Sequence, residues 1–359
     1  QHEHELGMPF KRYHIGAVWR GENTQRGRYR EFMQCDFDTI GTKSVAADIE
    51  TGLVIHDLMQ ALGFSEFTIR LNNRAVLNGL LETLSLQSKS VEILRALDKL
   101  AKIGSDKVIT EMIATAGATR EQAEQVMRFA ALAGSNEEIL TQLEPLVANS
   151  ETGGEGVARL RATLAGIAAG GVSSDRIRLD VSIARGLDYY TGVIYETFLD
   201  KLPKIGSVCS GGRYDNLASL FTKQELPGVG ASLGLDRLLA AMEELGMIES
   251  VRTLAPVLIA FFDKQRLNDY LKMAAIVRAA GIGVELYPDP KKLGQQLKYA
   301  DQRGFTLALI AGENEFASNT CQVKDLRTGE STEVSLADQG TDLLSEIQQR
   351  LADPHSPAQ

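Results

Sequence analysis

In the stretch "REFMQCDFDTIG", Met33, Cys35 and Phe37 alternate with Gln34 and Asp38. Successive side chains of a strand point to opposite faces, so this alternation commits the segment to a sheet with one apolar and one polar face. Gln34 and Asp38 fall on the same, polar side. Burying them without hydrogen-bond partners is costly, so that side must supply partners or a ligand.

The strand has company. "KRYHIGAVWR" precedes it across the polar, Gly-containing loop "GENTQRGRY", which predicts a hairpin over residues 10–41. "DIETGLVIHDLMQAL" follows with helical apolar spacing and Asp48 as its expected cap, and "FTIRLNN" returns as a strand. From Asn78 to Gly171 the spacing is helical throughout, with Thr119 and Ser135 ahead of acidic first turns and Gly104 and Gly134 as stops. Strand character resumes in "RIRLDVSIARGLDYYTGVIYETFL", "GSVCSGGRYDNLASL" and "PGVGASLGLDRL", the last leading into an amphipathic helix. Beyond "VRTLA", the order "PVLIAFF", helix, "IGVELY", helix, "FTLALIAG" reads β-α-β-α-β, followed by a hairpin and a last helix. The expected class is α+β. Residues 1–77 and 172–252 make an antiparallel sheet flanked by helices, 78–171 a helical insertion, 253–351 an α/β domain, and 352–359 a disordered tail.

With 359 residues there is room for two or three domains. A net charge of −9 argues against coating nucleic acid through bulk charge, so any RNA contact must rest on a local patch. Cys35, Cys209 and Cys321 stand far apart without a CxxC pair, which suits reduced thiols in the cytoplasm. The histidines form no metal pattern, and no apolar run approaches the ~20 residues that a membrane span needs. The chain opens on Gln1, already close to a strand, so further sequence is expected upstream.

No GxxxxGK[ST] loop is present, and "CSGGRYD" lacks the GxGxxG spacing; its paired glycines predict a tight turn or a close backbone approach. Phosphate can instead be held by arginine forks. Arg20 ends a strand, Arg185 follows one in "SIARGLDYY", and Arg237 stands in the first turn of the "GLDRLL" helix. Each is a surface arginine or ion-pair partner on the plainer reading; three beside Gly-rich turns suggest one anion site. A ligand bearing an ammonium and an imidazole would satisfy Gln34 and Asp38, and Tyr189 and Tyr190 offer further hydroxyls or simple packing.

Taken together these motifs resemble class II aminoacyl-tRNA synthetases in their histidyl form. "KRYHIGAVWRGENTQRGRYREFMQCDFDTIG" is similar to motif 2, "ARGLDYYTGVIYE" and "SVCSGGRYDNL" to the two histidine-specific motifs, and "GVGASLGLDRL" to motif 3. The terminal α/β unit resembles an anticodon-binding domain. The resemblance implies a histidine–tRNA ligase, cytoplasmic and homodimeric, with ATP, Mg²⁺, L-histidine and tRNA(His) as its partners, and no membrane. By position it puts Arg20 at the α-phosphate, Arg28 and Arg237 at the outer phosphates, and Glu22 and Phe32 by the adenine. Gln34 falls near the ammonium and carboxylate of histidine, and Asp38 and Tyr190, with Tyr189 alongside, at the imidazole. Arg185 becomes an added cation at the α-phosphate; no protein ligand to a metal is expected. Motif 1 and the Arg-Pro-Glu-x-Thr-like segment of the family are absent from the sequence, so the isolated chain is expected to lack part of the family's amino-acid pocket and dimer interface. Two other readings stay open: a tRNA-sensing or regulatory relative without ligase activity, and a purely structural role for the terminal unit.

Overall fold

A computed structural model describes residues 5–21, 23–183, 189–248 and 252–352. The chain divides into two compact units, Gln1–Ile248 and Glu249–Gln359.

The first unit is built on a seven-stranded sheet. Its strands are β1 (Phe10–Trp19), β2 (Glu31–Ile40), β3 (Phe67–Asn73), β4 (Ile177–Leu179), β5 (Val193–Leu199), β6 (Cys209–Arg213) and β7 (Gly228–Gly234), in the spatial order β1-β2-β7-β6-β5-β3-β4. Every neighbouring pair is antiparallel except β3–β4. Helix α1 (Val45–Ala61) follows β2, and the helices α2 (Arg74–Thr83), α3 (Ser90–Leu97), α4 (Leu100–Ile103), α5 (Ser105–Ala116), α6 (Arg120–Ala130), α7 (Asn136–Leu146) and α8 (Glu151–Ala169) lie between β3 and β4; α9 (Leu235–Glu244) continues from β7.

The pairing registers sort the sheet into two faces. The row Cys35, Leu233, Cys209, Thr197, Ile69 and the row Phe37, Ala231, Gly211, Tyr195, Leu71 lie on the apolar side. That side shares one hydrophobic core with Ile55 and Met59 of α1 and Leu160 and Ile167 of α8, as well as with the buried residues of α2–α7. The expected alternation is therefore present, with Cys35 and Phe37 packed against the core. The opposite rows run Asp36, Ser232, Ser210, Glu196, Arg70 and Asp38, Gly230, Gly212, Ile194, Asn72.

Thr119 and Ser135 form full capping boxes on α6 and α7. Asp48 is not the cap of α1. Ser44 takes that place, accepting from the Ala46 N–H, while Asp48 sits inside the first turn and is fully buried. Its charge explains the difference. Arg213 Nε and Nη2 reach Asp48 Oδ1 at 2.9 and 2.6 Å, and Arg159 Nε reaches Oδ2 at 2.5 Å, so the carboxylate is committed to two arginines from distant segments. Arg213, the largest side chain in the core, also donates to Thr42 O and Asp215 Oδ1, both at 2.9 Å.

The second unit contains β8 (Val257–Ala260), α10 (Leu267–Ala279), β9 (Val284–Leu286), α11 (Leu293–Arg303), β10 (Leu307–Ile310), α12 (Glu313–Ala317), β11 (Thr320–Asp325), β12 (Ser331–Ser335) and α13 (Thr341–Ala352). Its strand order is β12-β11-β10-β8-β9, parallel at β8–β9 and β8–β10 and antiparallel at β10–β11 and β11–β12. This is the mixed sheet that the β-α-β-α-β pattern predicts, with a core of its own that includes Ile259, Tyr270, Leu309 and Leu343. The expected tail beyond residue 352 lies outside the described residues.

Candidate active site

Above the polar face an open cleft is lined by Arg20, Arg28, Phe32, Gln34, Ser210 and Arg237, among others. Three elements deliver these groups. β1 runs out at Trp19 and leaves Arg20 beyond its end, its N–H bonded to Arg30 O at 2.8 Å. β2 contributes Phe32 and Gln34 on alternate positions. The first turn of α9 carries Arg237, held by donation from its Nη1 to Ser207 O, and Asp236 ties α9 to β2 by accepting from the Met33 N–H at 2.8 Å.

Arg20 lies over the Phe32 ring, 5.2 Å from its centroid, and its Nη2 reaches Gln34 Oε1 at 3.4 Å. An aromatic face beside a guanidinium suits a base stacked next to its phosphates. The connecting loop closes on itself through the Gln25 and Arg28 backbones, and Gly27 takes a left-handed φ of +69° where a Cβ would lie 3.2 Å from Arg237 Cα. That close approach brings Arg28 next to Arg237.

A second group lies farther along the same face. Asp38 receives Arg12 Nη2 at 2.9 Å on Oδ2 and the Tyr214 hydroxyl on Oδ1. A Cβ on Gly230 would sit 2.2 Å from Asp38 Oδ1, and one on Gly212 would sit 3.0 Å from the Tyr190 ring. Gly212 and Gly230 are cross-strand partners, so Asp38 and Tyr190 flank a patch from which side chains are missing. The glycines of "CSGGRYD" thus serve close approach within a strand. Tyr189 and Tyr190 have ring centroids 4.4 Å apart. Burial, with Tyr189 beside it, pushes the Tyr190 hydroxyl well above its ordinary range; burial and then the Asp38 carboxylate do the same for Tyr214. Both phenols therefore stay protonated and can donate.

Among the predicted residues, Arg20, Arg28, Phe32, Gln34 and Arg237 share the cleft, and Asp38, Tyr189 and Tyr190 lie on or beside the sheet face that floors it. Glu22 and Arg185 lie outside the described residues. Sequence reasoning missed Arg12 and Tyr214, whose link to Asp38 spans 26 and 176 residues. Register alone could have found Arg12, since it pairs directly with Asp38 across the hairpin. It also missed Asp36, whose Oδ1 is buried without a hydrogen-bond partner among the described residues. Among those residues, too, no group of three or more His, Cys, Asp or Glu could hold a metal ion.

The sequence profile of histidyl-tRNA synthetases matches residues 2–238, well over half of the chain. The chain belongs to the histidyl-tRNA synthetase family. The profile of the anticodon binding domain matches residues 256–346, within the second unit. A histidine–tRNA ligase from Rhodopirellula baltica is 59% identical over 346 residues, which cover 96% of this chain and 78% of the relative. One from Wolinella succinogenes is 44% identical over 332 residues, or 92% of this chain and 75% of its own length. A crystal structure of histidyl-tRNA synthetase from Nostoc sp. PCC 7120 superposes with a TM-score of 0.73 at 34% identity, covering 97% of this chain and 80% of that one. ATP is the substrate of aminoacyl-tRNA synthetases, and the second unit matches an anticodon binding domain.

Proposed function

We propose that the protein is a histidine–tRNA ligase that joins L-histidine to tRNA(His) in two steps at the cleft over the polar sheet face. The histidine carboxylate attacks the α-phosphorus of MgATP, the bond from α-phosphorus to the bridging oxygen breaks, and diphosphate leaves. A terminal ribose hydroxyl of the tRNA then takes the acyl group and AMP departs. Such an in-line displacement needs positioning and charge compensation more than a protein nucleophile. The observation that carries the reading is the convergence of Arg20, Arg28, Arg237 and Phe32 on one cleft, from a strand end, a loop and a helix start.

In this reading Arg20 meets the α-phosphate, Arg28 and Arg237 meet the outer phosphates, and Phe32 and Glu22 flank the adenine. Gln34 orients the ammonium and carboxylate of histidine. The Asp38 carboxylate accepts from an imidazole N–H while the protonated Tyr190 hydroxyl donates to the other ring nitrogen, with Tyr189 packed beside it. The magnesium ion arrives on the outer phosphates as part of the nucleotide substrate. Residues 78–171 act as an inserted module between the two halves of the catalytic region (1–77 and 172–252), and 253–351 bind the anticodon. A cytoplasmic homodimer is the expected assembly; no helix among the described residues is long and apolar enough to cross a membrane.

Arg185 is assigned to the α-phosphate by its place in "ARGLDYY". Replacing it by Ala should slow histidine-dependent exchange of labelled diphosphate into ATP by about a hundredfold, roughly 3 kcal/mol of transition-state stabilisation. Near-parental exchange in Arg185→Ala would remove Arg185 from this role, and an intact parent protein that binds histidine but shows no histidine-dependent exchange would favour a regulatory protein.

A further inference from the structure

A second cleft opens beside the first and shares Arg28 and Arg237 with it. It is an open depression of about 1000 Å³ between the Gln25–Arg28 loop and the turn that joins β5 to β6. Its charged lining is Arg26, Arg28, Lys201, Lys204 and Arg237 against one carboxylate, Glu244. In a chain of net charge −9, that is a local reversal of sign. Arg26 reaches Glu244 at 3.3 Å, and Lys201 reaches Glu66, outside the lining, at 2.9 Å. The turn itself is anchored, because Leu202 and Ile205 pack against the core on either side of Lys204. Its two lysines are thus presented from a fixed backbone rather than a free loop, which lowers the ordering cost of binding an anion.

We propose that this cleft binds the inorganic diphosphate released on adenylate formation, with Lys201 and Lys204 as its anion-binding residues. The proposal rests on the ligase reading of the neighbouring cleft. Arg28 and Arg237 stand on the wall common to both clefts. Phosphates held by this pair in the nucleotide become, once the bond to the α-phosphorus breaks, a free polyanion facing the second cleft. Moving toward Lys201 and Lys204 exchanges shared guanidinium contacts for additional ammonium contacts and takes the leaving group away from the reacting phosphorus. A concave site with apolar flanks suits a small polyanion better than the convex backbone of an RNA duplex. The same contacts, run backwards, load diphosphate for attack on the adenylate.

The test replaces Lys201 and Lys204 by Gln, singly and together, in the full chain. Calorimetric titration with inorganic diphosphate should show binding to the parent that falls about tenfold or more in the double variant, since each lysine contributes a charge-assisted contact. Half-maximal histidine-dependent ATP–diphosphate exchange should require a correspondingly higher diphosphate concentration. A parent that binds no diphosphate, or variants that bind it as tightly as the parent, overturns the proposal. Unchanged diphosphate binding with weakened tRNA binding also overturns it and assigns the lysines to an RNA backbone. Diphosphate binding that depends on the lysines, in an intact parent protein that binds histidine but shows no histidine-dependent exchange, leaves the site standing and removes the ligase reading instead.

Discussion

Asp38 is held on both oxygens, by Arg12 and by Tyr214, and it lies against the hydrogen face of Gly230. A single methyl group there must displace the carboxylate. Gly230→Ala should therefore raise KM for histidine by roughly tenfold, about 1.4 kcal/mol, with KM for ATP little changed; equal KM values in variant and parent would show that Asp38 does not touch the amino acid. Thiols give a second test at this scale. Burial pushes Cys209 and Cys321 from the ordinary 9.0 up to about 12. The folded chain keeps protons that the unfolded chain releases above pH 9, so unfolding releases protons and stability falls as pH rises from 9 toward 12. Thermal midpoints followed from about pH 8 to pH 11 should decline, and neither thiol should react with iodoacetamide below the onset of unfolding. Residue types told much here: guanidinium forks for phosphate and a Gln/Asp pair for a polar ligand are legible as chemistry. Arg12 was within reach of the hairpin register, but the grip of Tyr214 on Asp38 was not legible, because Tyr214 lies 176 residues away and arrives only through the β2–β7–β6 pairing.

Elements are joined in this fold by a buried charge cluster and by bare helix crossings. Asp48 on α1 binds Arg213 at the end of β6 and Arg159 on α8, linking the helical segment to the sheet beneath the glycine patch. Replacing Arg213 by Met leaves Asp48 with one of its two arginines and removes the donors to Thr42 O; chemical denaturation should show a loss of roughly 3–5 kcal/mol, the range for breaking a buried pair. A loss near zero would mean that Arg159 alone suffices. Where α2 crosses α8, a Cβ on Gly79 would lie 2.3 Å from Gly153 Cα. Gly79→Ala must push the helices apart, and it should cost about 1–3 kcal/mol despite the better helix propensity of Ala; a stabilised variant would contradict this packing. The strands, the Thr119 and Ser135 caps and the terminal hairpin follow from local pattern. Asp48 did not, since an acid near a helix start looks like a cap until distant arginines claim it.

Across the whole molecule, the two units have separate hydrophobic cores, and the two profiles divide at nearly the same place. Removing residues after Leu254 should leave histidine-dependent ATP–diphosphate exchange largely intact while weakening tRNA charging; unchanged charging kinetics would leave the second unit a structural role. By itself the sequence determined the alternation of faces, the order of strand-rich and helical segments and the β-α-β-α-β close, because these depend on neighbours a few positions apart. Only the tertiary structure decided which distant groups meet: Arg20 with Arg237, Tyr214 with Asp38, Arg159 and Arg213 with Asp48, and two lysines with the edge of the arginine-lined cleft. Such meetings depend on strand order and register, which are set by the burial of a shared core and leave no mark within any short stretch of chain.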